Sequence, residues 1–229
     1  MRLTHECSLY TGKYIRHMSS TKPSDCNVCI LGKLTQRRNR KPDASATILL
    51  ELVHTDLAGP VDPASKEDFR YWLAFTDDFS DAVFVFLLRN KSDTMASTER
   101  FLADSAPYGK VRCIRSDDGG ELTSGKFEAL LGRDCIRYST SAPYSPHQNG
   151  TAKWHGRTLF EMWGCLLIQV SLAKELWSYA VMAAVYTRNR CHNNHLNQTP
   201  YFVRTGRRPT LSNMRVIGLE CYAYKQKRS

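Results

Sequence analysis

Residues Tyr71 to Leu88 read YWLAFTDDFSDAVFVFLL. Two runs inside this stretch, Tyr71 to Thr76 and Ala82 to Leu88, are rich in the aromatic and β-branched residues that pack well on a pleated surface. Between them stands the polar insert Asp77-Asp78-Phe79-Ser80-Asp81. The pattern predicts a β-hairpin. Upstream, Ile48 to Leu57 predicts another strand. Downstream, Ser92 to Asp104 has helix composition, with Ser92 or Asp93 as N-cap. Val111 to Arg115 predicts a short strand closed by Asp117-Asp118-Gly119-Gly120, Lys126 to Leu131 a short helix, and Ile136 to Ser139 a further strand. Pro143 and Pro146 mark an irregular loop. Helical stretches follow over Asn149 to Val170 and Leu172 to Asn189; in the second, Leu172, Leu176, Ala180 and Ala184 keep helical spacing. From Asn193 onward no periodicity is sustained. Three strands, then helix, strand, helix, strand, helix and helix describe an α/β sheet layered with helices.

The chain has 229 residues, 42% of them hydrophobic and 24% charged, a globular composition. Lys plus Arg number 32 against 22 Asp plus Glu, a net charge of +10, which points to a polyanionic partner. The longest wholly apolar run, Ala82 to Leu88, falls far short of the ~20 residues of a membrane span. No apolar signal segment follows Met1, so the expectation is a nuclear or cytoplasmic protein, not a secreted one. Of the eight cysteines only Cys26 and Cys29 are closely spaced; the others are expected as reduced core thiols. Three segments are expected: a polar, basic stretch over 1–45, a core over 46–210, and an extension over 211–229.

Asp56 lies near the end of the first strand, and Asp117 follows the fourth. A carboxylate at a buried strand end is costly unless a cation compensates it. Two such acids on neighbouring strands hold a divalent ion, or else serve as turn formers. Gly119 and Gly120 leave room for a substrate backbone to approach.

Three segments resemble the integrase core of copia-type LTR retrotransposons: Leu50 to Pro60 (LELVHTDLAGP), Ile114 to Leu122 (IRSDDGGEL) and Ser141 to Thr151 (SAPYSPHQNGT). The likeness continues through Arg157 to Met162, Leu172 to Arg190, Gln198-Thr199-Pro200-Tyr201 and Gly206-Arg207-Arg208-Pro209. It implies an RNase H-like mixed sheet with flanking helices, acting on DNA as a multimer. It also implies a triad of two aspartates and a glutamate that binds two Mg2+ or Mn2+ ions for polynucleotidyl transfer. Carried onto this chain, Asp56 and Asp117 are the first two acids. The third position, after residues 118 to 152, is Lys153 where the family has glutamate. A protonated lysine offers a metal no lone pair. Its charge opposes the ion by about 4 kcal/mol per unit charge at ~4 Å and an effective dielectric near 20, and by roughly twice that for a divalent ion. Glu161, eight residues further along a helix, is about 12 Å away along its axis and is expected to pair with Arg157 instead. Trp154-His155-Gly156 also departs from the family's basic and polar residues, and a helix-interior glycine costs about 1 kcal/mol against alanine. The expectation is an impaired or inactive enzyme, or a noncatalytic nucleic-acid-binding protein that keeps the fold.

The resemblance also implies a His-His-Cys-Cys zinc module before the core. His5, Cys26 and Cys29 match three of its ligands, with the other histidine expected upstream of Met1; structural zinc takes four ligands, and Cys7 or His17 remain as substitutes. The alternative for the Cys pair is two small thiols at a turn. Lys33, Arg37, Arg38, Arg40 and Lys41 form the densest basic cluster, expected either on a phosphate backbone or as a solvated linker. Arg157, Lys153 and Lys126 are expected to flank the active-site face. Gln148 stands where the family's mobile loop reaches DNA ends.

Overall fold

The computed structural model describes residues 45–116, 125–140, 150–169, 171–212, 214–215 and 217, with backbone alone over 150–156. Five strands form one sheet: β1 (Val53–Ala58), β2 (Tyr71–Asp77), β3 (Val83–Leu88), β4 (Cys113–Ser116) and β5 (Arg137–Thr140). Their spatial order is β3-β2-β1-β4-β5. β1, β2 and β3 pair antiparallel in succession, whereas β4 lies parallel to β1 and β5 parallel to β4. The helices are α1 (Thr94–Ser105), α2 (Gly125–Arg133), α3 (Gly150–Gln169), α4 (Trp177–Arg190) and α5 (Pro200–Thr205).

Alternation along β2 builds two cores. Successive strand side chains point to opposite faces. Leu73 and Phe75 therefore join Val53, Phe101, Ile114, Phe127 and Leu131 beneath α1 and α2. Trp72 and Ala74 join Leu159, Trp163, Trp177 and Val181 beneath α3 and α4. On the first face Phe75 and Phe101 stack with ring centroids 4.1 Å apart and planes within 3°. Each fully buried side chain of this size contributes about 1.5–3 kcal/mol from lost water contact.

The structure corrects four sequence expectations. The first strand begins at Val53, not Ile48: Glu51 turns back to accept hydrogen bonds from the Thr47 and Ile48 amides, and Leu50 takes φ 60°. The fourth helix begins at Trp177 because a 3-10 turn over Lys174–Leu176 precedes it. The tail holds a helix after all. Thr199 accepts the Phe202 amide at 3.1 Å, Pro200 opens the helix, and Gly206 closes it at φ 69°. Among the described cysteines only Cys113 is buried; Cys165 and Cys191 are half-buried and Cys135 is exposed. No described helix is long and apolar enough to cross a membrane.

Candidate metal centre

β1 carries Val53, Thr55 and Leu57 toward one core and His54, Asp56 and Ala58 toward the other. Val53 and Leu57 pack with Phe101 and Phe127, and Ala58 packs with the cluster beneath α3 and α4. Asp56 is thus on the face that α3 covers, and α3 packs directly on β1 and β2. The strand leaves the interior at this point: Thr55 is fully buried and Asp56 half-buried. Directly across the sheet from Asp56 stands Ala74. Cross-strand partners share a face, so the Ala74 methyl lies beside the carboxylate.

Gly59 turns the chain sharply as it leaves β1. At φ 123°, a side chain there would bring its Cβ within 2.5 Å of the Arg70 carbonyl, so only glycine fits. The following loop is fastened to α4. Glu67 accepts hydrogen bonds from Ser65 and Ser178, each at 3.0 Å, and from Tyr179. The Tyr179 hydroxyl, then the two serines, hold the Glu67 carboxyl below the usual carboxylate range. Trp177 Nε1 donates to the Pro63 carbonyl at 3.2 Å.

The other end of β1 is tied to the hairpin turn. His54 Nε2 and Asp78 Oδ1 lie 2.9 Å apart, and Asp78 Oδ2 accepts the Ala46 amide at 2.7 Å. Burial pushes the Asp78 carboxyl up, but the His54 and Ala46 hydrogen bonds outweigh it and the net direction is down. Asp77 beside it is pushed up by burial, against hydrogen bonds from Ser80 and Leu50. Ser116, the last residue of β4, is fully buried, and its hydroxyl meets Tyr138 Oη at 2.6 Å; Tyr138 in turn packs edge-on against Phe127. The chain is therefore clamped one residue before Asp117.

Among the sequence-derived site residues, the structure places Asp56 in β1 and Arg157 on the exposed side of α3, where its Nε meets Glu161 Oε1 at 2.9 Å as expected. Lys126 is exposed at the start of α2. Lys153 belongs to the first turn of α3, which continues unbroken through Gly156. Asp117, Gln148, His5, Cys26, Cys29, Lys33, Arg37, Arg38, Arg40 and Lys41 lie outside the described residues. Among the described residues no three His, Cys, Asp or Glu side chains gather to hold a metal. The His54–Asp78 pair was missed in the sequence, although both residues lie in quoted motifs; nothing in hydropathy signals that a strand histidine meets a turn aspartate 24 positions away.

This sheet order and helix placement define an integrase catalytic-core fold. It superposes on a chain of the simian T-cell lymphotropic virus intasome in complex with PP2A regulatory subunit B56 gamma with a TM-score of 0.61, covering 94% of this chain and 77% of that one at 15% identity. For the HTLV-2 integrase catalytic core domain in complex with magnesium, a trimeric form, the TM-score is 0.53 over 69% of this chain and 98% of that one, at 17% identity. No family model matches the chain. In sequence it is 29% identical over 216 residues to the retrovirus-related Pol polyprotein from transposon TNT 1-94 of Nicotiana tabacum, covering 93% of this chain. It is 28% identical over 213 residues to that from transposon RE2 of Arabidopsis thaliana, and 26% identical over 182 residues to the truncated transposon Ty1-A Gag-Pol polyprotein of Saccharomyces cerevisiae. The chain is a relative of copia-type Pol polyproteins, and it spans 16% of the length of the tobacco one.

Proposed function

We propose that this chain is an integrase-like DNA-binding protein whose strand-transfer chemistry is lost or severely impaired at Lys153. The observation that carries the reading is the position of Asp56: half-buried, opposite Ala74, on the sheet face covered by the helix whose first turn contains Lys153. The parallel register supports Asp117 as its partner acid. His54 pairs with Arg115, so residue 56 is two positions past one member of a pair and residue 117 two past the other.

Two carboxylates suit one divalent ion, with oxygen ligands of the kind Mg2+ and Mn2+ prefer. The donor set does not suit two. An ammonium in place of the third acid supplies no ligand and adds repulsion. Paired ions stabilise both the attacking and the leaving oxygen of an in-line phosphoryl displacement. A site with one weak ion lacks that clamp. That the HTLV-2 core is in complex with magnesium supports a divalent-metal cofactor, and its trimeric form supports self-association.

In the noncatalytic reading the fold is kept as a binder of phosphate backbones, and the net charge of +10 is consistent with such binding in either reading. Lys33, Arg37, Arg38, Arg40, Lys41, Gln148 and Arg157 are its proposed DNA contacts, and His5, Cys26 and Cys29 a partial Zn2+ site. The deciding experiment is strand transfer on oligonucleotides with magnesium, comparing the chain with Lys153→Glu. Activity in the substituted chain alone supports the reading. Equal, robust activity in both overturns it.

A further inference from the structure

The sheet face that carries Asp56 is covered unevenly. α3 packs on β1 and β2, and α4 packs on β3. Toward the other edge, β4 and β5 present arginines on this face. Ile114 and Tyr138 turn into the core beneath α1 and α2. Strand side chains alternate, so Arg115, Arg137 and Ser139 point the opposite way, to the side of Asp56. Arg137 is exposed, and Arg115 and Ser139 are half-buried. The register joins them into one path. Arg137 stands beside Cys113, Ser139 beside Arg115, and Arg115 beside His54. Asp56 follows His54 by two residues on the same face, so the path runs from β5 to the candidate metal centre.

Among the described residues Arg137 has no carboxylate within ion-pair distance. Arg115 lies close enough to Asp78 for its charge to help lower that carboxyl. Asp78 is also bonded by His54 Nε2 and by the Ala46 amide. Acids in the adjoining turns are engaged elsewhere: Glu51 accepts the Thr47 and Ile48 amides, and Glu99 and Asp134 meet Arg133. Neither β4 nor β5 contains an acid. Arg137 and Arg115 are diagonal neighbours on adjacent strands, with backbones roughly 8 Å apart. One nucleotide of an extended strand spans such a step. The planar guanidinium fork bonds phosphate oxygens in pairs and needs no metal to do so.

We propose that Arg137, Ser139 and Arg115 form a phosphate-binding strip that guides a nucleic-acid backbone across β4 and β5 to the centre around Asp56. The inference rests on the DNA-binding reading above and extends it to contacts made without a metal. The strip is open at Arg137 and ends beside His54 and Asp56. That course suits a chain of phosphates running into the centre, which favours a nucleic acid over an acidic peptide.

The test is fluorescence anisotropy of the full chain with a labelled duplex oligonucleotide in EDTA, titrated across salt concentrations. Saturable binding is expected without any divalent ion. Arg137→Ala, at an exposed position, should weaken it at least fivefold at low salt, with the circular dichroism spectrum unchanged. It should also reduce the slope of log binding constant against log salt by about 1. Arg133→Ala removes the same charge from α2, on the opposite layer, and should change the affinity less than twofold. DNA binding that Arg137→Ala leaves unaltered, that both variants weaken equally, or that requires a divalent ion overturns the strip and leaves the DNA-binding reading standing. No DNA binding by the parent chain overturns both. Displacement of the duplex by polyglutamate as readily as by unlabelled duplex assigns the strip to an acidic protein and overturns the proposal.

Discussion

His54 Nε2 and Asp78 Oδ1 meet 2.9 Å apart, with the imidazole only 2% exposed. This contact ties the strand that carries Asp56 to the turn of the neighbouring hairpin. His54 Nδ1 is buried without a hydrogen-bond partner, so Asp78 holds the ring alone. Asp78→Ala leaves a buried imidazole with both nitrogens unsatisfied, and the expected loss is about 1–3 kcal/mol in urea unfolding.

The same pair sets a pH dependence. The folded-state pKa of Asp78 lies below its ordinary value, so its stabilisation is complete above the usual carboxylate range and is lost as the pH falls through the lowered value. Asp77 has the opposite sign. Its raised pKa makes ionisation unfavourable in the folded state, so that contribution destabilises as the pH rises through the usual range and up to the raised value. Unfolding midpoints measured against pH for Asp78→Asn should lose the acid-side decline of the parent, whereas Asp77→Asn should lose the alkaline-side penalty. An Asp78→Asn profile identical to the parent's would remove the pair from the account.

Phe101 stacks face to face on Phe75, and both are fully buried. Phe101→Ala removes the ring that links α1 to the sheet, and denaturant unfolding should show a loss of about 3–5 kcal/mol. A loss under 1 kcal/mol would mean that α1 contributes little to the core.

Arg157 and Glu161 form an exposed pair on α3, and such pairs contribute little. Arg157→Ala should change stability by less than about 1 kcal/mol. If Arg157 reaches a phosphate, the same substitution should reduce the slope of log binding constant against log salt by about 1. Binding to duplex DNA titrated across salt concentrations separates these effects.

Much of the fold was legible because its signals are local. The Tyr71 to Leu88 alternation yields β2, β3 and the sorting of side chains into two cores. The errors come from residues whose burial mimics strand character. Leu50 is 1% exposed and looks like the interior of a strand, yet its φ of 60° makes a turn. The helix over Pro200–Thr205 is too short for periodicity, but Thr199, Pro200 and Gly206 spelled out its ends. For the candidate site, the position of Asp56 and the Arg157–Glu161 pair were readable from spacing. The His54–Asp78 contact was not, because it joins side chains from separate elements whose approach only the tertiary packing determines.

The central claim concerns how many divalent ions the centre around Asp56 can hold. Anomalous diffraction from crystals of the intact chain soaked in manganese counts them directly. The account predicts at most one partly occupied ion, and a second appearing in Lys153→Glu crystals. Two fully occupied ions beside Asp56 in the unaltered chain would contradict it.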